Sequence, residues 1–161
     1  MRAGTALLWS MLAALPLAAQ GQDVHVEWED RCAECHGHAG AFARQRLEVV
    51  DGVLVSDHWG ADLGRFLASH HTTPATLGPI TAMLTAQATT PPVYAERCAG
   101  CHGPAAGLVR QSIVRRNGQP VIASSGLPLA DALERHGRLE PGELDIVVQT
   151  LDRLIDETIA R

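Results

Sequence analysis

A five-residue motif that occurs twice in the same register is the strongest constraint on how this chain folds. The sequence CAECH at residues 32–36 recurs 66 positions later as CAGCH at residues 98–102. The similarity continues without a gap from Arg31 to His70, with 15 identities over those 40 positions, and His70 falls on His136. One insertion directly after this histidine moves the offset to 67. We therefore expect two copies of one unit, joined head to tail.

The chain begins with a segment that is typical of a signal peptide, which we place at residues 1–21. Met1 and Arg2 give it a positively charged start, and the apolar run from Ala6 to Leu17 is too short to span a bilayer. The alternative is an N-terminal membrane anchor. The signal peptide predicts export to the periplasm, and we expect no transmembrane segment in the mature chain.

The composition narrows the classes of partner and of chemistry. Among the 161 residues, 13 basic and 18 acidic side chains give a formal net charge of -5, which argues against a surface that binds nucleic acid. A hydrophobic fraction of 46% with only 19% charged residues predicts a folded chain. Since the sequence contains no lysine, lysine nucleophiles and Schiff bases are excluded.

The same helices and strands are predicted in both copies. A first helix, which contains Trp28 or Tyr94, runs into each motif. Residues 47–55 and 113–122 each contain two β-branched runs around a dipeptide, Asp51-Gly52 or Asn117-Gly118, that suits the positive φ angles of a type I′ turn. Each copy is therefore expected to contain a small hairpin.

A short amphipathic helix is expected after each hairpin. Apolar residues at spacing i, i+3 and i+4 lead to His70 in the first copy and to His136 in the second, so both histidines share the apolar face of their helix. Gly137 is expected to end the second of these helices. Each copy closes with a further helix, most clearly from Pro141 to Ile159. Residues 85–92, with threonines and two adjacent prolines, are predicted to link the copies.

The two motifs match the attachment signature of c-type haem. Cysteines three apart on a helical turn point the same way, so each thiol can add to one vinyl group of a porphyrin. The histidine that follows is then held where its imidazole ligates the iron. The predicted covalent attachment sites are Cys32, Cys35, Cys98 and Cys101, and the predicted proximal iron ligands are His36 and His102.

Three other interpretations of the cysteines compete with haem attachment. The two pairs suit one structural zinc ion, and exported cysteines form disulfides. Neither needs a histidine after each pair. A redox-active dithiol belongs to a βαβ context that the sequence does not predict. The repeat of the histidine therefore favours two haem c groups.

Residues 93–103, VYAERCAGCHG, resemble the opening of a class I-type cytochrome c domain. The mature chain, residues 23–161, is similar to a tandem dihaem cytochrome c. The resemblance implies a mainly α fold made of tandem cytochrome c-like helical domains, residues 22–88 and 89–161, each with a small β-hairpin insertion. The sequence departs from the family in both copies, since a histidine replaces the distal methionine and a hairpin occupies the usual irregular loop.

The distal iron ligands are inferred from the methionine, lysine and histidine residues that each copy contains. The second copy has no methionine or lysine, and after His102 its only histidine is His136. The first copy offers several candidates, and the repeat register chooses His70. The alternatives that fall out of register are His38, His58, His71 and Met83. An imidazolium that interacts favourably with a helix C-terminus is the competing explanation for His70 and His136.

Arg44 and Arg110 occupy equivalent positions a few residues beyond the motifs. Either they pair with haem propionates, because a guanidinium suits a carboxylate, or they are solvated surface residues.

Iron with two protein ligands has no open position for a substrate, so we expect an electron carrier between a donor and an acceptor redox protein rather than an enzyme. The alternative is a haem enzyme subunit or a small-ligand-binding haem protein in which one distal histidine is labile. The neighbouring His70 and His71 make the first site the better candidate for that alternative.

Overall fold

The computed structural model describes residues 22–60, 62–136 and 138–158. The predicted signal peptide at residues 1–21, the predicted helix stop Gly137 and Ile159 lie outside the described residues. The described part is mainly helical, with ten helices and two antiparallel two-stranded hairpins. The mainly α prediction with two small hairpins is confirmed.

The helices and strands follow one another in the same order in the two halves of the chain. The first half contains α1 (Val24–Arg31), α2 (Ala33–His36), α3 (Ala39–Arg46), β1 (Leu47–Val50), β2 (Val53–Ser56), α4 (Leu63–Ser69) and α5 (Pro74–Thr89). The second half contains α6 (Val93–Arg97), α7 (Ala99–His102), α8 (Ala105–Ser112), β3 (Ile113–Arg116), β4 (Gln119–Ile122), α9 (Leu129–His136) and α10 (Pro141–Thr158).

Each hairpin turns on the dipeptide that the sequence indicated. Asp51 and Gly52 have φ angles of 50° and 78°, and Asn117 and Gly118 have 51° and 78°. Two successive positive φ angles are those of a type I′ turn, whose twist matches that of the flanking strands. The strands pair in the same register, with Leu47 opposite Ser56 and Ile113 opposite Ile122.

Two separate clusters of buried apolar side chains form the core, one from each half. The first combines α1, α3, β1, β2, α4 and α5, and Met83 and Ile80 of α5 are almost fully buried in it. The second combines helices from α6 to α10 with β3, around Val147 and Leu151 of α10. In both halves the long closing helix therefore supplies the centre of the cluster.

Helix α5 extends into the predicted linker, so the linker prediction is wrong for residues 85–89. The Thr85 hydroxyl donates to the Thr81 carbonyl at 2.8 Å, and the Thr89 hydroxyl donates to the Thr85 carbonyl at 3.0 Å. Because these hydroxyls are satisfied on the helix itself, the threonines do not end it. The helix ends at Thr90, which is extended because Pro91 disfavours the helical conformation of the residue before it.

Two polar contacts tie the start of the first half to the second half. The Arg110 guanidinium donates to both carboxylate oxygens of Asp23, with Nε–Oδ2 and Nη2–Oδ1 distances of 2.7 and 3.0 Å. The His25 ring is buried, and its Nε2 lies 2.8 Å from Oε2 of Glu157 in α10. The two halves are therefore held together by side chains as well as by the chain connection.

None of the helices in the described residues is both long and apolar enough to cross a membrane.

Candidate functional site

The two motifs adopt one conformation. Cys32 separates α1 from α2 with φ -121°, and Cys98 separates α6 from α7 with φ -117°. One turn later, the N–H of His36 donates to the Cys32 carbonyl at 2.9 Å, and that of His102 donates to the Cys98 carbonyl at 3.0 Å. Each cysteine pair and its histidine therefore occupy a single helical turn.

A buried aromatic residue fixes the backbone just after each motif. The Trp28 indole N–H donates to the Gly37 carbonyl at 2.9 Å, and the Tyr94 hydroxyl donates to the Gly103 carbonyl at 3.2 Å. The two glycines have φ angles of 67° and 68°, which favour glycine at this turn. Burial, and to a lesser degree Cys98, raises the pKa of Tyr94 to about 12, so the phenol keeps the proton that it donates.

All four cysteines are free thiols in the structure. Cys32 and Cys98 are half-buried against the two core clusters, whereas Cys35 and Cys101 are exposed. Burial, with the nearby carboxylate of Glu27 or Glu143, raises the pKa of Cys32 and of Cys98 respectively. Among the described residues, no group of three or more histidine, cysteine or acidic side chains is arranged to hold a metal ion.

In the second half, His102 and His136 face each other. Their Nε2 atoms are 3.4 Å apart, their ring centroids are 5.7 Å apart, and their rings are nearly perpendicular. His102 ends α7 and His136 ends α9, so the two helix ends bring the imidazoles together. Both residues are exposed.

In the first half, the equivalent residues His36 and His70 also face each other. Their ring centroids are 6.1 Å apart at an interplanar angle of 70°. The His70 ring stacks on Phe66 at 4.4 Å, and Phe66 stacks on Trp59 at the same distance. Burial, together with the charges of His71 and His36, lowers the pKa of His70. This favours the neutral imidazole, whose free nitrogen can bind a metal.

A cleft of about 410 Å³ opens between this histidine pair and the hairpin. Cys32, His36 and His70 all line it, and most of the remaining lining is apolar or aromatic. Its volume lies in the ordinary range for a small-molecule site. The first half therefore combines Cys32, one of its two predicted attachment residues, and both predicted ligands in one concave site.

The other candidates of the first half do not face His36 as His70 does, although the His71 ring lies 4.8 Å from that of His70. Met83 is fully buried in the core, and His71 is exposed at φ 59°. His58 is exposed on the rim of the cleft, where its ring lies 4.8 Å from that of Trp59. His38 lines a different groove, between the two halves of the chain.

Two charged residues of the cleft were not found from the sequence. Arg46 and Asp57 line it beside the histidines, but the equivalent residues of the second copy are Ser112 and Ala123, so the repeat gave no signal. Arg110 is engaged by Asp23, an ion pair that neither proposed role of Arg110 anticipated. Arg46 is therefore the arginine placed to meet an anionic group in the cleft.

The imidazole nitrogens of the facing histidines are donors of the kind that haem iron takes. An imidazole nitrogen lies about 2 Å from a bound first-row metal, so nitrogens on opposite sides of one metal are about 4 Å apart. The 3.4 Å between His102 and His136 approaches this separation, and it also suits a hydrogen bond between the two rings. Two imidazoles are a ligand type that haem iron accepts.

Comparisons with protein families, with curated proteins and with solved structures give no match to this chain.

Proposed function

We propose that this protein is an exported dihaem c-type cytochrome that carries electrons between two redox proteins of the periplasm. The observation that carries the proposal is the repeated histidine pair: His36 faces His70, and His102 faces His136, each beside a half-buried cysteine. A single histidine pair is explained by a hydrogen bond. Two equivalent pairs, each on a Cys-x-x-Cys-His turn, favour haem attachment.

In each half, the cysteines and the histidines would have different roles in holding a haem. Cys32 and Cys35, and likewise Cys98 and Cys101, would form thioethers to a haem. A haem held in this way would supply a one-electron couple at its iron. His36 and His102 would bind from one side, and His70 and His136 would close the other side. Methionine ligation raises the reduction potential of haem iron, so histidine at these positions favours lower potentials.

The cleft supports an electron carrier in two further ways. Its aromatic and aliphatic lining would keep water away from a bound haem, and Arg46 would offer a guanidinium to a propionate. A mature chain with more acidic than basic side chains, and no lysine, would dock a basic partner through its carboxylates or would use arginine.

The test is a visible spectrum of the protein made in a host that attaches haem to exported chains. We expect a pyridine haemochrome typical of thioether-linked haem, two haems per chain, and no spectral change when carbon monoxide is added to the reduced protein. Cys98→Ala with Cys101→Ala should remove one haem. Gly100→Ala is the matched control, because it alters the same motif without a ligand. A chain that attaches no haem under these conditions refutes the proposal.

A haem protein that binds a small ligand is the second candidate. The cleft of the first half is open beside His70 and includes His58 and Asp57, two groups able to move protons near a bound ligand. Carbon monoxide binding by the unmodified reduced protein, at one haem only, would favour this function over electron transfer.

A further inference from the structure

A groove of about 260 Å³ lies between the two halves, apart from the cleft at the histidines. Its apolar walls combine equivalent residues of both halves, such as Trp28 with Tyr94 and Ala33 with Ala99. The polar lining is unequal, because Arg44, Gln87 and His38 all belong to the first half. The groove is therefore symmetric in its apolar wall and asymmetric in its charge.

Arg44 lacks the counterion that its equivalent has. Arg110, at the same position of the repeat, is paired with Asp23. The position equivalent to Asp23 is Thr89, which has no charge, and Arg44 forms no ion pair with any described residue. A half-buried cation without an anion is unfavourable, so the groove favours a bound anion.

The Arg44 guanidinium and the Gln87 amide lie against Gly40, at the position where a side chain would displace them. A Cβ at Gly40 would lie 2.9 Å from Oε1 of Gln87 and 3.2 Å from Nη1 of Arg44. The second half has Ala106 and Leu154 at the positions of Gly40 and Gln87, and both are buried. Where the second half packs apolar side chains, the first half thus has a glycine, an amide and a cation.

The other polar groups of the groove leave the guanidinium available. His38 accepts a hydrogen bond from the Gly40 N–H at its Nδ1, at 3.2 Å, so in the neutral ring Nε2 carries the proton and is a donor. Glu29 also lines the groove but forms no ion pair with Arg44. Arg44, His38 and the amide of Gln87 together present donors to one acceptor-rich ligand.

We propose that the groove binds a small carboxylate, with its two oxygens on the Arg44 guanidinium and with Gln87 and His38 as further donors. The planar guanidinium matches a carboxylate with two parallel hydrogen bonds. The volume is below that of ordinary drug-sized pockets, which limits the ligand to a few carbons. The proposal does not depend on haem attachment.

Calorimetric titration with succinate, in a buffer free of other carboxylates, tests this site. We expect saturable binding by the mature protein, and no comparable heat from sodium chloride at the same ionic strength. Arg44→Gln should weaken binding about tenfold or more, because a charge-assisted pair is lost. Gly40→Ala should also weaken it, since the methyl group would displace the Gln87 amide and the Arg44 guanidinium. Arg65→Gln is the control, because its side chain is 86% exposed.

Three results would overturn the proposal: no saturable binding, equal binding by Arg44→Gln and Gly40→Ala, or the same loss in Arg65→Gln. If a haem propionate formed an ion pair with Arg44 instead, succinate would show no saturable binding. Circular dichroism checks that each variant is folded, and Arg44→Lys, which keeps the charge but not the paired donors, should bind with intermediate affinity. Haem content is measured separately by the haemochrome, so failure of this site and failure of the proposed function are distinguishable.

Discussion

The imidazole of His136 is the residue on which the proposed second haem site most depends. It faces His102 with 3.4 Å between the Nε2 atoms, and the second copy has no methionine or lysine to replace it. The first half is less constrained, because His70 has His71 beside it and His58 on the rim of the same cleft. Substitution of His136 is therefore easier to interpret than substitution of His70.

His136→Ala should leave both haems attached, because Cys98, Cys101 and His102 are unchanged. It should open one axial side, so that one of the two haems becomes high spin and binds carbon monoxide. The visible and electron paramagnetic resonance spectra measure this change. His71→Ala is the control and should leave both spectra as in the parent, since His71 is exposed and falls out of register with His136, although its ring contacts that of His70. Two unchanged low-spin haems in His136→Ala would contradict bis-histidine ligation.

Among the structural elements, the hairpins are the ones that the sequence specified most completely. Gly118 has φ 78° at the second turn position, where an L-residue is strained. Gly118→Ala should therefore lower the free energy of unfolding by about 1–2 kcal/mol. Gly107→Ala is the matched change: it lies in α8, nothing is within 4 Å of the added Cβ, and helix propensity predicts a gain of up to about 1 kcal/mol. Denaturant unfolding measures both, and equal effects would rule out the turn explanation.

Local patterns predicted the elements, and tertiary contacts explain what the sequence missed. Asp51-Gly52 and Asn117-Gly118 are enough by themselves to specify a tight turn, so the hairpins could be predicted from the sequence. The continuation of the helix to Thr89 could not be predicted, because it depends on threonine hydroxyls that donate to carbonyls one turn earlier rather than on apolar spacing. Arg46 was missed for a different reason, since only folding brings it to the cleft.

At the scale of the whole molecule, the ion pair between Asp23 and Arg110 predicts an acid-sensitive contact between the halves. Burial raises the pKa of Asp23, but the hydrogen bonds from Arg110 and from the backbone outweigh burial, so the pKa lies below its ordinary value of 3.8. The stabilisation is present above that ordinary value, and it is lost as the pH falls through the lower pKa of the folded state.

Asp23→Asn should remove this pH dependence and lower the free energy of unfolding at neutral pH by about 1 kcal/mol or less. Asparagine remains a good N-cap for α1, so the loss reports the charge rather than the cap. Asp62→Asn is the control, because Asp62 is exposed and lies 3.6 Å from Arg65. Thermal unfolding across the acid range measures the effect. A slope in Asp23→Asn equal to that of the parent would contradict it.

The separation of the two core clusters also sets the entropy that folding must overcome. All the buried residues of one cluster come from residues 24–84, and all those of the other come from residues 93–155. Closing a loop costs entropy that grows with the length of the loop, and chains whose contacts are near in sequence fold fastest. Each cluster is thus closed over short loops. Within the described residues, the contacts of Asp23 with Arg110 and of His25 with Glu157 join residues that are far apart in the sequence, and these contacts can form last, between two parts that are already compact.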